Sequence, residues 1–167
     1  LIFFNSEEMY QHKLADIDGI GSSILDEDKH AQKAFEKGTT PNRDLLKARL
    51  QFDGGFLSEA LKTLNSAEQK SFTSKDRLEL DYRIGRVHHK MNDYPKAIAF
   101  YKKTVNHHAI SGTYYPANAS LKLGEIFELQ SKRTEALKWY KASMEYDNHE
   151  YENSIAQKAK AGISRVE

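Results

Sequence analysis

Apolar and small residues recur along this chain at helical spacing, and the pattern repeats three times. Ala60, Leu61, Leu64 and Ala67 form one set. Ala97, Ile98, Tyr101, Thr104 and Val105 form a second, and Ala136, Leu137, Tyr140, Ser143 and Met144 a third. In each, a small residue is followed by apolar residues at i+1 and i+4 and by a small residue at i+7. That spacing paints one face of a helix, and the small positions let a neighbouring helix approach closely.

A further helical pattern precedes each of the last two sets. Leu80, Ile84, Gly85, Val87, His88 and Met91 lead into the second; Ser120, Leu123, Gly124, Ile126 and Phe127 lead into the third. Gly85 stands 12 residues before Ala97, and Gly124 stands 12 before Ala136. A glycine inside a helix costs up to about 1 kcal/mol relative to alanine, so the matched offset predicts close contact with the partner helix. Asn92-Asp93-Tyr94 before Pro95, and Ser131-Lys132-Arg133, are turn sequences suited to antiparallel helical hairpins. The three prolines, at 41, 95 and 116, stand before or at the start of helical patterns, where proline is tolerated. Three Val against 15 Leu and 16 Ala also favour helix over strand.

These residues resemble the tetratricopeptide repeat family, whose pattern of Leu-Gly, Tyr, Ala and aromatic positions spans about 34 residues. Ile84-Gly85, Ala97 and Tyr101 match one repeat, and Leu123-Gly124, Phe127, Ala136 and Tyr140 match the next. The first repeat is degenerate, with Ala48 in the glycine position and Leu64 in the aromatic one. The leading aromatic is replaced by Asp44, Asp81 and Ser120, and extra residues from His107 to Tyr115 separate the last two repeats. A narrower likeness, carried by Tyr114-Tyr115-Pro116, Tyr146 and Tyr151-Glu152-Asn153, is to the C-terminal end of inclusion-body-clearance type repeat proteins. The resemblance implies an all-α, right-handed solenoid with three hairpins at about 41–69, 75–107 and 116–146, within a repeat region at 39–147. A helical extension at 1–38, closed by a cap at Gly38, is expected before it. A capping helix is expected at 148–167, with Ile155, Ala159 and Ile163 on one face and polar residues on the other.

In this family the first helix of each hairpin lines the groove that binds. The resemblance therefore implies groove positions at Arg49 and Phe52, at Glu79, Tyr82, Arg86, His89 and Lys90, and at Asn118, Leu121, Glu125 and Glu128. The Lys/Asn set that clamps a C-terminal carboxylate is absent: Tyr82, Arg86 and Lys122 stand in its positions. Arg86 and Lys90 remain able to hold another anion. The same residues also read as a solvated face, paired at i and i+4.

Other chemistry finds little footing. His88-His89 and His107-His108 are adjacent pairs, and neighbours on a helix point about 100° apart, so neither pair can share a metal ion as i, i+4 ligands do. His88 falls on an inward position and reads as core. There is no phosphate-binding glycine loop, nucleophile elbow or zinc-protease motif. Gly19-Ile20-Gly21 lacks a third glycine and a preceding strand. Tyr114-Tyr115 with Phe127 is expected to pack between repeats.

Composition narrows the classes further. Lys and Arg total 25 against 24 Asp and Glu, a balance unlike that of a nucleic-acid-coating protein. There are no cysteines, hence no disulfide or thiol chemistry. No apolar run approaches the roughly 20 residues of a membrane span. Leu1 to Phe4 is apolar without a basic flank or cleavage site, which suits a segment of a longer chain. The expectation is a non-catalytic module without metal or cofactor that binds a peptide or protein in its groove. Nothing assigns a compartment. The alternative is a structural or self-associating segment, a homo-oligomer included, whose groove is filled by its own N-terminal helix.

Overall fold

A computed structural model describes residues 41–107 and 112–167. The expected extension at 1–38, with its cap at Gly38, and His108 lie outside the described residues, as does any test of an N-terminal helix filling the groove. The regular structure among the described residues is all α-helix: α1 Arg43–Asp53, α2 Leu57–Ala67, α3 Ser74–Lys90, α4 Tyr94–Asn106, α5 Tyr115–Leu129, α6 Arg133–Ser143 and α7 Glu152–Val166. Each of the pairs α1/α2, α3/α4 and α5/α6 packs across a short turn, and α7 packs on both α5 and α6.

Local chemistry sets the boundaries. The Asn42 side chain accepts from the Asp44 and Leu45 amides, Thr73 from Asp76, and Asp93 from Lys96, satisfying amides that the first turn leaves unpaired. Pro95 and Pro116 sit in the first turn of α4 and α5, where their missing N–H costs nothing. The first helix of every pair ends alike. Gly55, Asn92 and Ser131 adopt φ of 82°, 61° and 58°. Their amides donate to Phe52, His89 and Glu128, while the next residue donates to Gln51, His88 and Phe127. This double bond is the Schellman closure, and its left-handed residue reverses the chain within three residues.

Packing then stacks the pairs. α3 is a shared wall: Leu80, Ile84 and Val87 join α1 and α2 through Leu45, Ala48, Ala60 and Leu64, while Leu78 and Tyr82 join the core built by α4 to α7. Gly85 and Gly124 are where the rings of the following helices enter. A Cβ on Gly85 would lie 2.8 Å from the Tyr101 ring, and one on Gly124 2.6 Å from Tyr140. The close approach expected from the glycine offset is therefore real, and an aromatic side chain fills it. Gly162 in α7 repeats the device: a Cβ there would lie 2.5 Å from the same Tyr140 ring. Tyr140 is thus fully buried between two glycines, and α7 uses its glycine as Gly85 and Gly124 use theirs. His88 is buried, stacked on Phe100 at 13° and 6.0 Å, with Nδ1 3.2 Å from Asp93 Oδ2.

Candidate functional site: the face of the leading helices

The first helices of the three pairs lie side by side. Arg86 on α3 places its guanidinium 4.3 Å over the Phe52 ring of α1, and Asn118 on α5 donates to the Tyr82 hydroxyl of α3 at 2.8 Å. These bridges join four of the expected groove residues, which do not play equivalent roles.

Tyr82 and Leu121 correct the sequence reading. Each is 1% exposed and belongs to the core rather than to an open groove. Tyr82 is held among Tyr101, Tyr114 and Tyr115 at centroid distances of 6.3, 5.8 and 5.1 Å. Tyr114, just before α5, and Tyr115, its first residue, close over α3. Burial, with Tyr114 beside it, pushes the Tyr82 hydroxyl above its ordinary range and keeps it protonated. Phe127 is buried in the same core, so these aromatics pack between repeats.

Three carboxylates of the expected set are engaged within the chain. Glu79 pairs with Arg83, whose Nε donates at 2.6 Å. Burial opposes the Arg83 charge, and Glu79, with Tyr115 and Tyr114, more than offsets it. Glu125 pairs with Lys122 at 2.7 Å. Glu128 accepts from Arg165 Nε and Nη2 at 2.7 and 2.9 Å and from the Tyr140 hydroxyl at 2.5 Å, tying α5 to α7. The Arg165 hydrogen bonds lead in holding the Glu128 carboxyl below its ordinary range.

The cations are more open. Lys90 is exposed. Arg49 is exposed and reaches Asp53 at 3.7 Å. His89 is half-buried, with Nδ1 3.3 Å from the Tyr101 hydroxyl. Burial, helped by Lys122 and opposed by Glu125, lowers its pKa and favours the neutral ring. Arg86 is half-buried over Phe52, 6.0 Å from the Tyr82 ring centroid, and has no carboxylate partner among the described residues. Arg83 was missed in the sequence reading, although its i, i+4 spacing from Glu79 was visible.

Among the described residues no three His, Asp or Glu side chains are placed to hold a metal ion, and no helix is long and apolar enough to cross a membrane. His107 Nε2 instead faces Asp81 Oδ2 at 3.7 Å.

Stacked helix pairs with repeated glycine–aromatic seams and repeated Schellman closures define a helical-repeat scaffold. Residues 76–149 match the tetratricopeptide repeat family model. Repeats of this family mediate protein–protein interaction and are a scaffold rather than an enzyme type. Comparison with curated proteins and with solved structures gives no match. The narrower inclusion-body-clearance likeness gains no support from these comparisons.

Proposed function

We propose that this chain is a non-catalytic interaction module that binds a peptide or protein partner across the face of α1, α3 and α5. The observation that carries this reading is Arg86: a half-buried guanidinium, set over an aromatic ring and without a counter-charge among the described residues, on the leading-helix face that the family resemblance gives as the groove. A solvated structural face would be expected to pair its cations internally, as Arg83 and Lys122 do.

The test is capture from native lysate by the immobilised chain and by an Arg86→Ala, His89→Ala double variant that keeps wild-type circular dichroism. Partners held by the wild type and lost by the folded variant support the groove. Identical capture by both would move the contact elsewhere and overturn this assignment.

A further inference from the structure

We infer that Arg49, Arg83 and Arg86 form a subsite for one acidic side chain of an extended peptide, seated between α1 and α3. This rests on the groove reading above and names the chemistry it would select. The three arginines line one cavity of about 10 Å³ together with Phe52, Leu64 and Val87. Two carboxylates serve the three cations: Glu79 holds Arg83, and Asp53 reaches exposed Arg49 at 3.7 Å. The local balance is one positive charge in excess, and it resides on Arg86, the cation that has no acid of its own among the described residues.

Geometry decides what the excess charge is suited to. The Arg86 guanidinium lies 4.3 Å over the Phe52 ring, and its N–H groups make no hydrogen bond among the described residues, which leaves them available to donate. A planar fork matches the two oxygens of a carboxylate. At about 10 Å³ the cavity is no larger than a single water needs, so a carboxylate would rest at its mouth against Arg86 rather than enter it. Further along the face Lys122 and Arg165 are each paired with an acid, Glu125 and Glu128, so they offer no run of free cations for a continuous phosphate backbone, and the isolated Arg86 charge suits a peptide with separated charges.

The test is NMR titration of the full ¹⁵N-labelled chain, following the Arg86 Nε–Hε signal. The probe is a six-residue peptide of alternating Glu and Ser, acetylated and amidated. Saturable movement at Arg86 is expected, with affinity weakened about tenfold in Arg86→Gln. Phe52→Leu should weaken it about two- to fivefold by releasing the stacked fork. Arg86→Lys, which keeps charge but not the fork, should fail to restore it. Four results would overturn the subsite: equal binding of the Gln-for-Glu peptide, binding that requires a free C-terminus, equal saturation by sodium phosphate or acetate, or undiminished binding by a folded Arg86→Gln chain. If a captured partner moves α3 and α5 signals while the acidic peptide leaves Arg86 unmoved, the subsite falls and the groove stands. If neither moves them, both fall.

Discussion

Substituting Gly162 by alanine separates helix propensity from tertiary packing, because the two make opposite demands. By propensity alone, alanine inside α7 should stabilise the helix by about 1 kcal/mol. The structure predicts the reverse. The new Cβ would lie 2.5–2.7 Å from three atoms of the Tyr140 ring, roughly 1 Å short of ordinary contact. The ring has nowhere to go. Gly124 lies close against it as well, and its hydroxyl is held by Glu128, which Arg165 holds in turn. Overpacking of this kind costs about 1–3 kcal/mol, and a ring held this tightly belongs near the upper end. The net expectation is a loss of about 1–2 kcal/mol, concentrated in α7. Two measurements check it: the thermal midpoint by circular dichroism, expected to fall by several degrees, and hydrogen exchange, expected to quicken in α7 before α3. Ala161→Gly is the control. Ala161 is exposed, so this change should cost about 1 kcal/mol through propensity alone. A rise in midpoint for Gly162→Ala would refute the claim that Tyr140 locks α7 in place.

Three further outcomes follow from other seams. Ser131→Gly should raise the urea midpoint, by about 0.5–1 kcal/mol of stability, because Ser131 holds φ of 58° in a closure where glycine carries no steric penalty. Tyr140→Phe should cost about 1 kcal/mol in chemical denaturation, since the hydroxyl donates to a carboxylate, while Glu128→Gln should additionally loosen Arg165 in a way that added salt diminishes. Acid should destabilise the fold through His88. Burial lowers its pKa despite Asp93 alongside, so its contribution is complete above the ordinary histidine value near 6.5 and is lost as pH falls through the lowered one. Thermal midpoints between pH 7.5 and 5.5 should therefore drop, and His88→Gln should flatten that dependence.

Much of the fold could be read from spacing, for physical reasons visible in particular residues. Period-3.6 apolar positions specify helices wherever they fall, and the 12-residue offsets from Gly85 to Ala97 and from Gly124 to Ala136 marked helices that touch. A glycine–aromatic seam needs only one small and one large residue at fixed separation, which one chain displays by itself. Asn42, Thr73 and Asp93 likewise act on amides two or three positions away.

The candidate site was less accessible because its character depends on partners distant in sequence. By spacing alone Glu128 resembled Glu125, an open groove acid. Arg165, 37 residues on, turns it into an anchor for the last helix. Tyr82 stood at a groove position, yet Tyr114 and Tyr115 fold across it and bury it. Gly162 gained its meaning when Tyr140 was seen to lie against both it and Gly124. The sequence by itself determined the helices, their caps and the repeating contact between leading and following helix, because those interactions are local or periodic. Only the tertiary structure decided which charges lack a counter-ion among the described residues, because neutralisation depends on distance in space. That is why Arg86, one cation among 25 in the chain, stands out only once the helices are packed.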